Sequence, residues 1–445
     1  MLPAAALPLW LDWVELTFSN TAAIAETAMD EDRPIRGQES VVSSWQRERE
    51  FVVLLHAGFL LIGVVTTLLG PILPMLAIKW SLDDAELGLF FTAQFTGAII
   101  GSAWSSRMIV RTGLLRLMVC GYGAAAGAVA CLTIASWLIG LVAAFSAGVA
   151  LGLTAPAINL LVAQINPERP AAAVNILNFA WAIGAVAGPP VIAFFGRDGH
   201  LTRPLVGLAV LLSSVAFLTA RRGIVDSAFA SDDRPKGRED RTRFVRSALR
   251  AWATPYALLT GVLIFIYVGT ETATSGWIAT YALRLGESSN GLETLMPSVF
   301  WGGLLIGRAL APVILIRLTD TTLVLSGLLL AGSGLLLIIL GTNLLSVAFG
   351  VGLTGLGLAS VFPTTFAIFA HHFGEQASQM TGLFFVFGGL GGALLPWLVG
   401  LVSEGFKDLR AGILVPSAGV ALIVILQAFI IAVLGRRRAA AQEGV

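Results

Sequence analysis

Twelve apolar segments, each long enough to cross a lipid bilayer, follow one another between residues 51 and 434. A helix needs about 20 apolar residues to cross the hydrocarbon core, where its backbone must satisfy its own hydrogen bonds. Only 12% of the residues are charged, against about 25% in soluble domains. The alternating pattern of membrane strands is absent from the sequence. We therefore predict an all-α membrane protein with twelve transmembrane helices.

The spacing of these segments predicts two bundles joined by a linker. The spans lie at residues 51–78, 86–107, 115–135, 137–165, 171–195, 203–220, 256–283, 291–316, 321–341, 344–370, 377–403 and 410–434. Connections are short except for a basic linker at 221–254, which separates six-helix bundles at 51–220 and 255–435. Residues 1–50 and 436–445 are predicted to be tails, the first without regular structure. The composition changes at Met29, which raises the hypothesis that translation begins there.

Basic residues predict the orientation in the membrane. With the amino terminus in the cytoplasm, 21 of the 28 Lys and Arg residues fall in cytoplasmic segments and 6 in the opposite loops. Cytoplasmic loops of membrane proteins carry an excess of Lys and Arg. We therefore expect a multi-pass protein of the inner membrane with both termini in the cytoplasm. Binding of the basic linker to acidic lipid headgroups is a lesser alternative.

The two halves of the chain repeat each other at an offset of 206 or 207 residues. The matched pairs are Gly97 and Gly303, Gly101 and Gly307, Arg111 and Arg317, Gly148 and Gly355, Pro156 and Pro363, Gly184 and Gly391, and Pro189 and Pro396. Glycines four residues apart let helix backbones approach closely in lipid. The repeat predicts two pseudo-symmetric halves that rock about a central site. We expect Gly97, Gly101, Gly303, Gly307, Arg111 and Arg317 to have structural or gating roles.

Twelve spans, a basic loop after the sixth and a duplicated six-helix unit resemble the major facilitator superfamily over about residues 51–435. The loop from Gly101 to Arg116 is similar to the signature between the second and third spans of that superfamily. It departs from the signature because serines stand near the place of the usual aspartate. The resemblance implies the major facilitator fold and secondary active transport by alternating access.

A second resemblance is narrower. The stretch Tyr267-Val-Gly-Thr-Glu271, followed by Gly303-Leu-Leu-Ile-Gly307-Arg308, resembles the fucose-permease-like branch, whose members include proton-coupled sugar importers. The fucose symporter places acidic residues on its first and fourth spans. Here the predicted spans 51–78 and 137–165 contain no Asp or Glu. The resemblance therefore implies a sugar-type permease, but neither fucose nor that arrangement of coupling groups.

Glu271 lies near the middle of the seventh predicted span. An ionisable side chain at that depth is costly, which indicates a functional site. At 3.6 residues per turn its face also holds Tyr267, Thr270, Thr274 and Tyr281, with Trp277 at the edge. Such a face suits a sugar, because hydroxyls need hydrogen-bonding groups and the ring can stack on aromatic side chains. We expect Glu271 to take up a proton, bind the solute, or both; a structural carboxylate paired with Arg308 is the alternative.

Other polar side chains within the spans are candidates for a solute cavity: Asn159, Asn175, Asn178, Trp181 and Gln94. Buried amides need partners, which a cavity filled with solute or water supplies. They can equally tie neighbouring helices together. Arg308 is expected to act as a gating or packing charge between helices. His56 lies near the end of its span, and His371 and His372 are interpreted as a loop pair and not as a metal site.

These observations favour a secondary active transporter that moves a small polar solute, such as a sugar, coupled to protons. An efflux pump for amphiphilic compounds is the alternative, and a receptor or sensor that has lost transport is a weaker one. The sequence has neither a Gly-Lys-Ser/Thr nucleotide loop nor an enzyme motif, so we expect no ATP drive and no catalysis. No cofactor, metal or nucleic-acid partner is expected. The expected partners are the bilayer, the solute and protons, and the protein is expected to work as a monomer.

Overall fold

The structure, a computed structural model, describes residues 35–134, 136–196, 201–225, 252–286 and 291–443. Within these ranges, 12 helices are long and apolar enough to cross a membrane, which confirms the predicted fold class. The helices are α1a (Ile35–Thr67), α1b (Leu69–Trp80), α2 (Asp84–Thr112), α3 (Leu114–Cys131), α4 (Trp137–Ile165), α5 (Pro170–Phe195), α6 (Thr202–Val225), α7 (Pro255–Arg284), α8 (Met296–Leu315), α9 (Asp320–Leu340), α10a (Leu344–Leu358), α10b (Val361–Phe373), α11 (Ala377–Phe406) and α12 (Leu409–Glu443).

The ends of the chain differ from the prediction. Helix α1a begins at Ile35, so residues 35–50 of the predicted tail are helical, and α12 continues to Glu443 through most of the other predicted tail. Residues 1–34, which include the hypothetical start at Met29, lie outside the described residues, as does most of the basic linker. The tail prediction was wrong for residues 35–50 because the apolar pattern of the span says nothing about a polar helical extension.

Two of the twelve spans are broken into two helical segments, and proline explains both breaks. Proline has no backbone N–H and therefore cannot bond the carbonyl four residues earlier. Pro71 leaves the Thr67 carbonyl without its helical partner, and α1a ends at that residue. Pro363 does the same for Ala359, which lies between α10a and α10b. These breaks sit inside the bundle, where freed carbonyls can find side-chain donors.

The same helix pairs pack together in both halves. In the first half α2 packs on α4, α1a on α5 and α3 on α6; in the second half α8 packs on α10a, α7 on α11 and α9 on α12. Between the halves, α2 contacts α11, α5 contacts α8, and α1b contacts α7. The repeat that the sequence shows is therefore a repeat of packing, and the two halves are related by a pseudo-two-fold arrangement.

Glycines lie where the helices of each half cross most closely. A Cβ on Gly97 would lie 2.1 Å from the carbonyl oxygen of Phe145, and a Cβ on its repeat partner Gly303 would lie 2.4 Å from that of Gly352. Gly101 and Gly307 continue the two contacts one turn further, with distances of 2.3 Å and 2.5 Å to the facing helix. No side chain fits at these crossings, so the paired glycines set the distance between helices in both halves.

We predict that Gly97→Ala lowers the thermal stability of the protein, whereas Gly127→Ala does not. Overpacking a tight contact costs about 1–3 kcal/mol, and Gly97 faces a backbone oxygen that cannot move aside. Gly127 has nothing within 4 Å of the added atom. Thermal unfolding of both variants in the same detergent tests this. Equal melting temperatures for the two variants would show that the α2–α4 crossing relaxes without cost.

Candidate functional site

A carboxylate, a phenol and a guanidinium group meet inside the second half. The Tyr267 hydroxyl donates to Oε1 of Glu271 at 3.2 Å, one turn away on α7. Nη2 of Arg308, on α8, lies 3.9 Å from the same oxygen, and the two side chains are 12% and 34% exposed for Glu271 and Arg308. This separation exceeds a hydrogen-bond distance. Among the described residues, Nε of Arg308 has no hydrogen-bond partner. The buried carboxylate thus has one hydrogen-bonded partner, Tyr267, and one charged partner beyond hydrogen-bond distance, Arg308.

Two aromatic side chains of α7 hold this helix to its neighbours. Trp277 Nε1 donates to the Pro396 carbonyl at 2.8 Å, and the Tyr281 hydroxyl donates to that of Ile338 at 2.9 Å. The Ile338 carbonyl is one of the last in α9, where the helix itself supplies no donor. Both aromatic side chains are buried. The predicted cavity role of Trp277 and Tyr281 is therefore wrong for this conformation, since their polar ends fasten α7 to α9 and α11.

Thr270 and Thr274 are also fully buried. Thr274 donates to the Thr270 carbonyl at 2.8 Å, within its own helix. Oγ1 of Thr270 would lie 2.1 Å from a Cβ on Gly419, so this side chain packs against α12. Neither threonine faces a cavity, and the prediction that they do is corrected. The four residues shared a helical face with Glu271 by periodicity alone, but other helices cover most of that face.

Amide side chains in the first half lie at the junction of α4 and α5. Nδ2 of Asn178 donates to Oδ1 of Asn159 at 3.2 Å and also to the Val174 carbonyl at 2.8 Å. Asn175 and Asn178 are exposed, and Asn159 is half-buried. Both predicted roles are therefore compatible with the structure, because Asn178 and Asn159 tie α5 to α4, and Asn175 and Asn178 remain exposed.

Gln94 has a different place from the other amides. Its side chain is buried, and Nε2 lies 3.3 Å from the Val65 carbonyl and 3.4 Å from that of Thr66. These carbonyls stand at the end of α1a, beside the break. Gln94 thus supports the backbone at the break between α1a and α1b and is not exposed to a cavity, which corrects its predicted role.

Two tryptophans connect the helix α5, which carries Asn175 and Asn178, with α8 of the other half. The Trp181 and Trp301 rings lie 5.7 Å apart between centroids and at 88° to each other, and Nε1 of Trp181 lies 3.4 Å from the Thr66 hydroxyl. Asn178 is three residues before Trp181, and Arg308 is seven residues after Trp301, so each lies on the face of its tryptophan. Asn178 and Arg308 therefore lie on the facing sides of opposite halves, and we call the space between these two faces the gap.

An ion pair closes one end of this gap. Asp84, the first residue of α2, accepts two hydrogen bonds from the Arg284 guanidinium, at 2.7 Å and 2.5 Å, and one from the Ser403 hydroxyl at 2.5 Å. Arg284 ends α7 and Ser403 lies near the end of α11, so the contact joins the two halves. We call these three residues the latch. Asp84 and Ser403 are buried, and a bidentate Arg–carboxylate pair is among the stronger polar contacts in proteins.

Further hydrogen bonds join the halves near the latch. The Thr92 hydroxyl donates to the Ala393 carbonyl at 2.8 Å, and the Ser298 hydroxyl donates to that of Val186 at 2.7 Å. The opposite ends of α2 and α8, which we call the open end, carry exposed Arg111 and Arg317. These two arginines, predicted to act in gating, thus lie away from the latch.

Sequence reasoning missed the latch and Trp301. Arg284 counted only as a basic residue of a loop, and Asp84 was not singled out; it follows Asp83, whose side chain caps α2 in a capping box. The partners are 200 and 319 residues from Asp84. No local pattern could pair them.

Comparison with known proteins places these features in a family. A family model described as Major Facilitator Superfamily matches residues 55–396. The chain is 23% identical to the "Glucose/mannose transporter GlcP" of Bacillus subtilis over 78% of this chain and 86% of that protein. It is 23% identical to the "Sodium-dependent glucose transporter 1A" of Mus musculus over 80% of this chain and 90% of that protein. The solved structure of the transporter FucP in the outward conformation matches with a TM-score of 0.60 and 19% identity, covering 85% of this chain and 98% of that one.

We predict that Trp277→Phe lowers the melting temperature but leaves solute affinity unchanged. The substitution removes the donor to the Pro396 carbonyl, and a lost buried hydrogen bond costs about 1–3 kcal/mol. Thermal unfolding and ligand titration in detergent measure the two effects separately. If Trp277→Phe weakened solute binding at unchanged stability, Trp277 would belong to the binding site after all.

Proposed function

This chain belongs to the Major Facilitator Superfamily, and from that premise we propose that it is a secondary active transporter that moves a small sugar-type solute, coupled to protons. The single observation that carries the proposal is the buried Glu271, held between Tyr267 and Arg308 beside the gap between the halves. The sugar-type solute is supported by the amides on α4 and α5 and by the similarity to proteins named as glucose transporters.

Alternating access is supported by the uneven contact between the halves. Each half packs densely within itself, and the polar contacts described between the halves lie near the latch. Opening the latch while the other end closes would expose the same gap to the other side of the membrane. The excess of Lys and Arg in alternate loops supports an orientation with both termini in the cytoplasm, in an inner membrane. In that orientation the latch lies at the outer side of the membrane.

Charge balance supports a role of Glu271 in proton coupling. With Glu271 ionised, its charge is compensated by Arg308, 3.9 Å away. When Glu271 takes up a proton, the guanidinium loses this charged partner and can donate to hydroxyls of the solute. Because Nε of Arg308 already has no partner among the described residues, a solute oxygen would satisfy a buried donor. Proton uptake and solute binding would then favour each other. One polypeptide holds all these groups, so the monomer is the expected working unit.

We predict that Glu271→Gln abolishes proton-driven accumulation and retains exchange. Glutamine keeps hydrogen-bonding atoms near Arg308 but cannot exchange a proton. Proteoliposomes loaded with glucose or mannose measure counterflow, and an imposed pH gradient measures accumulation. Asp320→Asn, at an exposed acidic residue of α9, is the matched control and should accumulate sugar normally.

Two results would contradict the coupling proposal. One is pH-driven accumulation by Glu271→Gln at the rate of the unmodified protein. The other is accumulation by the unmodified protein under a sodium gradient and not under a pH gradient. The second result would keep sugar transport and replace the coupling ion.

We predict that Asp84→Asn shifts the protein towards conformations that are open at the latched end. Asparagine cannot accept both hydrogen bonds of the Arg284 guanidinium as an ion pair does. Spin labels at Thr202 and Thr342, which are exposed on either half near the latch, report the opening as longer distances in double electron–electron resonance. The labels are introduced after replacing Cys120 and Cys131, which are free.

The control for the latch is Asp320→Asn. Asp320 is exposed at the start of α9 and takes no part in the contact of Asp84 with Arg284 and Ser403. It should leave the distances unchanged. An unchanged distance distribution in Asp84→Asn would show that the latch does not control opening.

A further inference from the structure

The repeat that relates the two halves places an amide pair and an aromatic pair at matching positions. Adding the offset of 207 residues, which relates Pro156 to Pro363 and Gly184 to Gly391, takes Asn159 to Phe366 and Asn178 to Phe385. In the first half the two amides are hydrogen-bonded at 3.2 Å. In the second half the two rings contact each other, with centroids 6.2 Å apart. The two positions are thus in contact in both halves, but their side chains are polar amides in the first half and apolar rings in the second.

A third ring extends the aromatic pair into a surface. The Phe362 ring lies 6.3 Å from that of Phe366, nearly parallel to it at 4°, and 6.2 Å from that of Phe385. We call these three rings the aromatic pad. The Phe362 ring is also 6.1 Å from the ring of Tyr267, whose hydroxyl binds Glu271. The pad therefore borders the site at which the carboxylate and the guanidinium meet.

The position of Phe385 on its helix shows that the pad faces the gap. Phe385, Gly389 and Gly392 lie on one face of α11. Added Cβ atoms on the two glycines would lie 2.7 Å from Ile99 and 2.4 Å from Phe95, so this face packs on α2 of the other half. One turn nearer the open end, Phe385 is 53% exposed. At Phe385 this face of α11 is therefore no longer covered by α2, and we infer that it borders the space between the halves.

We propose that the preferred solute is an amphipathic glycoside, with a sugar part at the amides and Arg308 and an apolar planar substituent on the aromatic pad. This inference rests on the proposed function and narrows its substrate class. A plain hexose can stack its C–H face on one aromatic ring, but its hydroxyls lie around the edge of that face, and three adjoining phenylalanines offer them no hydrogen bond. A planar apolar group instead gains contact with three rings. The two walls thus match a solute that is polar at one end and apolar at the other.

The test compares glucose and mannose with their phenyl β-glycosides on the purified full chain in detergent. Isothermal titration calorimetry gives the affinity of each compound. The phenyl glycosides should bind about tenfold tighter than the parent sugars, or better, because the added ring is buried against the pad. Phe385→Leu and Phe366→Leu should each reduce this gain at least severalfold while the parent sugars bind as before.

Phe349→Leu is the matched control, because Phe349 is exposed on α10a. It should keep the whole gain. Melting temperatures of all three variants identify any that fail to fold, and the affinity ratio within each folded variant remains interpretable.

The possible outcomes separate the pad from the transport proposal. If phenyl glycosides and parent sugars bind equally, the amphipathic substrate is overturned and sugar transport stands. A gain that survives in both pad variants also overturns it, because the ring then binds elsewhere. If phenol and benzyl alcohol bind as tightly as the glycosides, the sugar-type solute is overturned and the protein is better explained as an exporter of aromatic compounds. If none of the compounds binds, both proposals fail.

Discussion

The structure depends on one constraint: inside a bilayer, a polar group must find its partner within the protein. Water is absent there, so each buried donor or acceptor that stays unpaired costs several kcal/mol. The long aromatic donors of α7 meet this demand, because Trp277 and Tyr281 each reach a backbone carbonyl of another helix. Gln94 meets it at the broken end of α1a. Within the described residues these three side chains connect helices, whereas many serine and threonine hydroxyls donate to a carbonyl of their own helix.

Glu271 is a carboxylate buried inside the second half, and its two partners differ in how closely they approach it. Tyr267 donates a hydrogen bond to it, whereas Arg308 lies beyond hydrogen-bond distance. Nε of Arg308 has no hydrogen-bond partner within the described structure. A fully satisfied pair would serve stability and resist change. A loosely satisfied pair can exchange one partner for a proton or for a solute hydroxyl, which is what coupling between the two requires.

The two halves share their helix packing through the internal repeat, whereas the residues beside the gap differ between them. Each half repeats the same helix pairs and the same glycine contacts. The latch joins the halves through polar groups at one end, and α2, α5 and α1b also pack across to α11, α8 and α7. Within this shared framework, positions that hold amides in the first half hold phenylalanines in the second. The walls of the gap therefore differ although the helices that carry them match.

The sequence by itself determined the twelve helices, the two halves, the glycine crossings and the depth of Glu271. These follow from properties of single segments, namely apolar length, proline and glycine positions and an internal repeat. Tertiary structure alone decided which helical face is covered and which borders the gap. A membrane helix is apolar on nearly all sides, so periodicity cannot tell a face against another helix from one against the gap. For that reason the sequence put Thr270, Thr274, Trp277 and Tyr281 in the cavity, whereas packing covers them. The latch between Asp84 and Arg284, the Trp181–Trp301 contact and the aromatic pad join residues distant in sequence, and only the folded chain brings them together.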